Sequence, residues 1–258
     1  MPRFAANLTM LFNEVGFMHR FAAAARAGFA GVEYLFPYDY EPAALQQALR
    51  EHHLSQVLHN LPAGDWAAGE RGIACHPDRV AEFAAGVDQA IRYANALECP
   101  QVNCLAGIVP AGVERGAAHS TFVANLQLAA PRLKAAGVKL LIEPINTRDI
   151  PNFFLNRTAQ ALEIIDEVGS DNLFLQYDAY HMQIMEGDLS VTLQRHLARI
   201  AHIQVADPPK RNEPGTGEIN FGNLFKLLDQ LGYEGWIGCE YKPAARTEDG
   251  LGWLVEVS

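Results

Sequence analysis

The 258-residue sequence lacks the features that mark several large classes of protein. No basic run is longer than Lys210-Arg211 and the net charge is −10, so the clustered cations that bind nucleic acid are missing. No apolar stretch approaches membrane-spanning length, and the first residues, MPRFAANLTMLFNEVGF, lack the apolar core of a signal peptide. We therefore predict a cytoplasmic protein with neither a nucleic-acid nor a membrane partner.

Motifs for nucleotide cofactors and for cysteine chemistry are also missing. The GxG at Gly215-Thr216-Gly217 lacks the third glycine of a dinucleotide fingerprint, and GxxxxGK[ST] does not occur. We predict no nucleotide or organic cofactor. The cysteines have no CxxC spacing, and two of them fall inside predicted strands, so we expect reduced, buried thiols. The four are Cys75, Cys99, Cys104 and Cys239.

Eight short apolar runs, each typical of a buried strand, alternate with helical patterns along the whole chain. Eight such units favour a closed (β/α)8 TIM barrel over an open doubly wound sheet, and about 250 residues is the usual size of one barrel. We predict one barrel domain over residues 1–258. The predicted strands are Phe4–Asn7, Gly31–Leu35, Ser55–His59, Gln101–Leu105, Val138–Glu143, Leu173–Asp178, Ile200–Val205 and Trp236–Tyr241. The predicted helices are Phe17–Ala27, Pro42–His52, Arg79–Ala96, Ala117–Ala136, Thr158–Val168, Leu189–Leu197, Phe221–Leu231 and a short one near Glu248–Leu254.

Four oxygen-bearing side chains stand where the last four predicted strands end. In a (β/α)8 barrel the C-terminal ends of the strands meet at one mouth, and consecutive strands are neighbours. Taken singly, each residue could cap a helix, satisfy loop backbone or pair with a cation. Taken together, three carboxylates and one amide predict a site for a divalent cation. The four are Glu143 in KLLIEPIN, Asp178 in NLFLQYDAYH, Gln204 in ARIAHIQVAD and Glu240 in GWIGCEYKP.

This predicted ligand set contains only oxygen, with neither a thiolate nor an imidazole. It therefore predicts Mg²⁺ or Mn²⁺ and disfavours Zn²⁺ or copper. Because the site would carry surplus negative charge, an anionic substrate needs cations nearby. Arg211 is the preferred ligand for a substrate carboxylate, since a guanidinium binds it in bidentate fashion. Lys210 and Arg71 are further candidates, and each of these cations could instead be a solvated loop residue.

Three histidines lie near the predicted mouth. His181 follows Asp178 by three residues, so it could contact substrate or cap a helix terminus. His59 ends the third predicted strand and is a further substrate-binding candidate. His202 shares a face with Gln204 but lies deeper, where a hydrogen-bonded core histidine and a catalytic one are equally compatible with the pattern.

Two strand-to-helix connections are long, Asn60–Asp78 and Ala206–Asn220. Loops of this length are often lids or binding loops, although surface insertions also reach it. The charged and aromatic residues inside them favour a functional role. Aromatic side chains could form the apolar wall of a small pocket or could pack a lid against the barrel rim. They are Phe36, Tyr38, Tyr40 and Trp66.

Over its whole length the chain resembles the hydroxypyruvate isomerase family, within the xylose-isomerase-like barrels that also hold the ketose 3-epimerases. HNLPAGDWAAGERGIAC and EPGTGEIN are the most specific matching segments. The resemblance implies a metal-dependent isomerase that interconverts hydroxypyruvate and tartronate semialdehyde (2-hydroxy-3-oxopropanoate) through a cis-enediolate. It also implies that Glu143 and Glu240 act as acid and base and bind the metal, with Asp178 and Gln204 as the other ligands. The D-x-x-H ending at His181 and the R-x-x-P-G beginning at Arg211 match substrate-binding positions of the epimerases.

Several related activities stay open. The epimerases carry histidine where this chain has Gln204, which weakens a sugar-epimerase assignment. A sister group isomerises four-carbon 2-oxo-tetronates with much the same barrel. The metal-dependent abasic-site endonucleases bind several zinc ions through many histidines, which the oxygen-only set disfavours. A non-catalytic sugar-binding barrel is the remaining class. The expected partner is a small hydroxy or oxo acid, and a homo-oligomer is left open.

Overall fold

Eight parallel strands close into a barrel, which confirms the predicted (β/α)8 fold. In this computed structural model, which describes residues 2–256, each strand pairs with the next in the chain and the eighth pairs with the first. The strands are β1 Arg3–Asn7, β2 Gly31–Glu33, β3 Ser55–Asn60, β4 Gln101–Cys104, β5 Lys139–Ile142, β6 Leu173–Asp178, β7 Ile200–Val205 and β8 Trp236–Cys239. The C-terminal ends of all eight therefore surround one mouth.

Helices follow the strands and cover the outside of the barrel. They are α1 Phe17–Arg26, α2 Pro42–Glu51, α3 Val80–Leu97, α4 Arg115–Ala135, α5 Thr158–Val168, α6 Ala179–Met185, α7 Leu189–His196, α8 Phe221–Gln230 and α9 Gly252–Glu256. Short 3₁₀ turns lie at Pro77–Arg79, Leu197–Arg199 and Thr247–Gly250. Among the helices of residues 2–256, none combines the length and the apolar character needed to cross a membrane.

Two helical segments differ from the sequence-based prediction. Helix α6 was missed because it follows β6 without a turn; Asp178 ends the strand and caps the helix by accepting a hydrogen bond from the Tyr180 backbone N–H at 2.8 Å. The predicted closing helix is split into the 3₁₀ turn Thr247–Gly250 and α9. Two glycines in this stretch, Gly250 and Gly252, lower its helical propensity.

Apolar side chains fill the layer between strands and helices, including Phe21, Phe122, Leu126 and Ile164. All four cysteines are buried there and unpaired, as predicted. Polar side chains are also buried at or next to the ends of the first four strands. These are Asn7 of β1, Glu33 of β2, Asn60 of β3 and Asn103 of β4.

Both long connections are folded back onto the mouth. In the connection from β7 to α8, the Asp207 carboxylate accepts hydrogen bonds from the backbone N–H groups of Gly215, Gly217 and Ile219. A Cβ at Gly217 would collide with the Pro208 carbonyl oxygen, so only glycine fits. In the connection from β3 to α3, Gly72 has φ +114° and packs against the Leu105 backbone, where a side chain would also collide. Both loops are therefore built to hold one shape.

Candidate active site

A cavity of about 90 Å³ lies at the C-terminal mouth of the barrel. Its apolar wall comes mainly from the strands β2 to β4 and from loops, through Leu35, Leu58, Leu105, Trp66 and Ile150. Its polar lining brings together residues that are far apart in the chain. They are Asn7, Glu33, Asn60, Glu143, Gln176, His181, Gln204, Arg211 and Glu240.

The three predicted carboxylates converge beside this cavity. Glu143 follows β5, Asp178 ends β6 and Glu240 follows β8. Glu143 Oε2 accepts a hydrogen bond from Asn103 Nδ2 at 2.9 Å. Asp178 is fully buried, and its Oδ2 has no hydrogen-bond partner within residues 2–256. A buried carboxylate oxygen without a donor is costly, so its surroundings suit a cation.

Burial and repulsion from neighbouring carboxylates raise the pKa of each of these carboxyl groups. Burial is the largest cause for Glu143, whose pKa is raised well above its usual range, and the charges of Glu240 and Asp178 raise it further. Burial likewise raises the pKa of Asp178 and of Glu240, against the opposing effect of the Arg211 guanidinium. Carboxyl groups with raised pKa values are suited to exchange protons near neutral pH.

Arg211 supplies the cation nearest to these carboxylates. Its NH2 group donates to Glu240 Oε1 at 2.7 Å and lies 3.7 Å from Asp178 Oδ2. The guanidinium also lies over the Tyr180 ring, 5.0 Å from its centroid. The backbone of Arg211 is in the left-handed region with φ +60°, and its carbonyl accepts from the Lys242 N–H at 2.7 Å. A non-glycine residue that its surroundings hold in this sparsely populated conformation often marks a functional site.

Gln204 presents its amide nitrogen, and not its oxygen, to the carboxylates. Its Nε2 donates to Glu33 Oε1 at 2.7 Å and to Glu240 Oε2 at 2.5 Å. Its Oε1 accepts from Gln176 Nε2 at 2.6 Å. Because a carboxylate can only accept when ionised, this orientation is the one that satisfies both neighbours. Gln204 would need to turn its amide to bind a cation, so its role as a ligand stays a prediction.

Glu33 is a site residue that the sequence analysis missed. It is buried at the end of β2 and accepts hydrogen bonds from Asn7, from Gln204 and, at 2.7 Å, from His202 Nε2. His202 thus faces a carboxylate inside the barrel and is neither exposed nor on the cavity wall. The sequence did carry a signal, since GVEY ends an apolar run with a glutamate in the same manner as the four predicted positions.

His181 lies between two of the carboxylates. Its Nε2 is 3.5 Å from Asp178 Oδ2 and 3.9 Å from Glu143 Oε1, and its Nδ1 is 2.6 Å from Asn146 Nδ2. In residues 2–256, possible ligand atoms of Glu143, Asp178 and His181 all lie within 4.8 Å of one another. Together with the unpartnered Asp178 Oδ2, this group fits a divalent metal ion.

The other predicted substrate-binding residues lie outside the cavity. Leu58 and Asn60 line it, so strand alternation places His59 on the opposite face of β3, under the Tyr38 ring at 6.2 Å between centroids. Burial lowers the pKa of His59 to about 4. Lys210 is exposed. The structure brings only Arg211 and His181 of the predicted set to the cavity wall, within its described part.

Arg71 and most of the predicted aromatic wall pack behind the residues that line the cavity. The Arg71 guanidinium lies 4.3 Å from the centre of the Trp66 ring and donates to the Trp66 carbonyl at 3.1 Å. Phe36 also packs against Trp66, with 5.1 Å between ring centroids. Tyr38 donates to the Asn60 carbonyl at 2.6 Å, and Tyr40 stacks on the helix α1 at Phe17. Of the four aromatics, Trp66 is the one that lines the described cavity.

Comparisons with known proteins agree with this architecture. A sequence model of the family described as xylose isomerase-like TIM barrel matches residues 21–257. The chain is 55% identical to a hydroxypyruvate isomerase of Escherichia coli over 254 residues, which cover 98% of each chain. It is 50% identical to a 2-oxo-tetronate isomerase of Cupriavidus necator, again with 98% of each chain covered.

Among solved structures, the chain resembles one described as an AP endonuclease, family 2, from Brucella melitensis. The TM-score is 0.97, the identity is 46%, and 99% of each chain is covered. The family match spans most of the sequence, and the identities to the two named isomerases extend over nearly the full length of each. The chain therefore belongs to the xylose isomerase-like TIM barrel family, in the branch that contains the hydroxypyruvate isomerases.

Proposed function

We propose that this protein is a metal-dependent isomerase that interconverts hydroxypyruvate and tartronate semialdehyde. The observation that carries the proposal is that Glu143 and Glu240 both line one cavity of about 90 Å³ at the mouth of the barrel. The 55% identity to a hydroxypyruvate isomerase over nearly the whole chain supports the choice of reaction. Two proton-exchanging groups beside one cavity are what a 1,2 proton shift requires.

A divalent cation would be held by Glu143, Asp178 and Glu240, with Gln204 as a fourth ligand once its amide has turned. The carboxylate oxygens, among them the unpartnered Asp178 Oδ2, favour Mg²⁺ or Mn²⁺. When bound, such an ion supplies Lewis-acid stabilisation of negative charge that develops on a substrate oxygen.

The two glutamates account for the proton movements. One glutamate removes a proton from C3 of hydroxypyruvate, and the C3–H electron pair forms the double bond of an enediolate. The other glutamate delivers a proton to C2, while the proton of the C3 hydroxyl is transferred to the oxygen on C2. The product has an aldehyde at C3 and a hydroxyl at C2, so atoms and charge balance. Each glutamate alternates between its two protonation states.

The substrate carboxylate needs a cation beside this acidic cavity, and Arg211 is our candidate. Its guanidinium lines the cavity and now bonds to Glu240, so substrate and Glu240 would share its donors. Lys210 belongs to the same connection and is exposed, so it is the second candidate. His181 also lines the cavity and offers a further polar contact.

A 2-oxo-tetronate isomerase is the alternative, because a protein of that name is 50% identical to this chain. The proton chemistry would be the same, and only the length of the acid would differ. One extra carbon is worth about 1–3 kcal/mol in a pocket, so the strand-end residues do not decide between the two acids. An endonuclease activity is less compatible with the net charge of −10 and with a cavity of only about 90 Å³.

The decisive experiment compares kcat/KM for hydroxypyruvate, 2-oxo-tetronate and a free ketohexose with the same preparation. We expect hydroxypyruvate to be preferred. A tenfold or greater preference for 2-oxo-tetronate would replace the substrate and leave the isomerase mechanism in place. A preference for the ketohexose would move the protein to the epimerases, and inactivity on all three with metal bound would refute the proposed function.

A further inference from the structure

We propose that Asn146 is a positioning residue that fixes the tautomer of His181, so that His181 presents an N–H donor to the cavity and does not bind the metal. Asn146 lies in the connection between β5 and α5 and is fully buried. The proposal rests on the proposed function only in naming a substrate oxygen as the acceptor. The tautomer itself follows from the contacts of the side chain.

Two hydrogen-bond partners determine which end of the Asn146 amide is the oxygen and which is the nitrogen. Its Oδ1 lies 2.7 Å from the backbone nitrogen of Asp149, and a backbone N–H can only donate. Its Nδ2 lies 3.2 Å from Asp149 Oδ2, which accepts when ionised. A flipped amide would place oxygen against a carboxylate and nitrogen against an N–H. The nitrogen of Asn146 therefore points away from the Asp149 backbone.

This nitrogen determines where the imidazole proton lies. Asn146 Nδ2 is 2.6 Å from His181 Nδ1, and since Nδ2 is a donor, Nδ1 must offer its lone pair. A cationic ring would set an N–H of His181 against an N–H of Asn146, so the contact requires a neutral ring. The proton of the neutral ring is then on Nε2.

The protonated nitrogen faces the reaction site. His181 Nε2 lies 3.5 Å from Asp178 Oδ2 and 3.9 Å from Glu143 Oε1, both beyond a good hydrogen bond. A nitrogen that carries a proton has no lone pair for a metal. His181 is thus removed from the ligand group that its distances alone would suggest. Its N–H is left for an oxygen in the cavity, where a donor stabilises developing negative charge.

Asp149 connects this arrangement to the neighbouring elements. Its Oδ2 accepts from the Tyr180 hydroxyl at 3.0 Å, and Arg211 NH1 lies 3.8 Å away. The carboxylate that orients Asn146 is therefore itself held by α6 and by the connection after β7. An imidazole kept as a donor also leaves the metal with oxygen ligands, which favours Mg²⁺ or Mn²⁺ over Zn²⁺.

Nitrogen-15 NMR of the metal-free protein, labelled in histidine, tests the tautomer directly. The signals of His181 are assigned by their loss in His181→Gln. We expect the wild-type ring to be neutral with its proton on Nε2; a proton on Nδ1, or a doubly protonated ring at pH 8, would overturn the proposal. This measurement needs no substrate, so it stands or fails separately from the proposed function, and it does not depend on any Asn146 variant folding.

Asn146→Asp then reverses the contact, because an ionised carboxylate accepts and draws the proton to Nδ1. We expect the Nδ1-protonated signature, a fall in kcat of about tenfold or more, and a gain of about tenfold in Zn²⁺ affinity by calorimetry. The gain should disappear in the double variant Asn146→Asp with His181→Gln, which separates the ring from the added charge. A gain that persists in the double variant would overturn the proposal.

Asn172→Ala is the matched control for Asn146→Ala. Asn172 is a buried asparagine that donates to the Ala130 and Val138 carbonyls just before β6, at the other end of the barrel. Both variants lose a buried amide and should lose similar stability. Only Asn146→Ala should alter the His181 spectrum and kcat. Equal spectra in the two variants would show that Asn146 has a structural role alone.

Discussion

The two halves of the barrel mouth carry different chemistry. Strands β5 to β8 end in three carboxylates and one amide, whereas β1 to β4 end in three amides and one carboxylate. The second set donates to the first: Asn103 binds Glu143 at 2.9 Å and Asn7 binds Glu240 at 3.1 Å. One half therefore concentrates negative charge and the other half supplies the donors that hold it in place.

The comparison explains how several carboxylates can share one buried site. Like charges in low dielectric repel strongly, and each carboxyl must be compensated by donors or by a cation. Glu143 and Glu240 each receive an amide donor from the opposite half, and Arg211 adds a positive charge. Asp178 Oδ2 is left without a hydrogen-bond partner in the described residues, and Arg211 NH2 lies 3.7 Å from it. That oxygen is where a bound metal ion would relieve most repulsion.

Removing the metal should have the largest effect on this balance. We expect a chelator to abolish turnover, because the site then lacks the Lewis acid that would stabilise a negatively charged intermediate. Addition of Mg²⁺ or Mn²⁺ should restore it, measured by coupled assay after dialysis. Asp178→Asn should lose metal affinity by calorimetry while the barrel still folds. Restoration by Zn²⁺ alone would contradict the oxygen-only ligand set.

Glu143→Gln and Glu240→Gln come next in expected size. Each keeps the shape of the side chain but cannot exchange a proton, so kcat should fall roughly 10²-fold or more. Glu167→Gln, which alters an exposed glutamate paired with His119 on the outer surface, is the matched control and should leave kcat unchanged. Circular dichroism should show all three variants folded. If either active-site variant retains near-native kcat, the two-glutamate scheme is wrong.

Asn103→Ala tests the amide half. The variant removes the donor that Glu143 Oε2 receives at 2.9 Å, and a hydrogen bond to a charged group contributes about 1.5–3 kcal/mol. We expect kcat to fall roughly tenfold or more, with KM changing less, because Glu143 loses its fixed orientation. Asn172→Ala should lose comparable stability in thermal unfolding without this loss of kcat. Equal kcat in the two variants would show that the first half of the mouth only supports the fold.

The difference between the halves also explains what the sequence could predict. Glu143, Asp178, Gln204 and Glu240 end consecutive apolar runs, so a local pattern was enough to bring them together. The amide partners of these residues were not predictable, because Asn7 and Glu240 are 233 positions apart and Asn103 and Glu143 are 40 apart. No local signal distinguishes such an amide from a solvated one.

Small errors in strand length had larger consequences at the mouth. The third strand was predicted to end at His59, whereas β3 continues to Asn60, and alternation puts Asn60 on the cavity side. Helix α6 was missed because it follows β6 without a turn and because its seven residues are too few for a periodic pattern. The barrel was predictable because eight repeated patterns along the chain indicate it. The direction in which a strand side chain points was harder to predict, because a shift of one residue reverses it.

Trp66→Ala is expected to have the smallest effect and tests the wall that belongs to the first half of the mouth. Trp66 lines the cavity, packs against Phe36 and Arg71, and takes no part in the proposed proton transfer. Its removal should enlarge the pocket and raise kcat/KM for 2-oxo-tetronate relative to hydroxypyruvate by about tenfold, within the 1–3 kcal/mol that one carbon is worth. Phe36→Leu, which changes the support but not the lining, should shift the ratio less. If Trp66→Ala lowers kcat/KM equally for both acids, the half formed by β1 to β4 does not select the substrate. Residues beside Arg211 in the carboxylate half must then distinguish the three-carbon acid from the four-carbon acid.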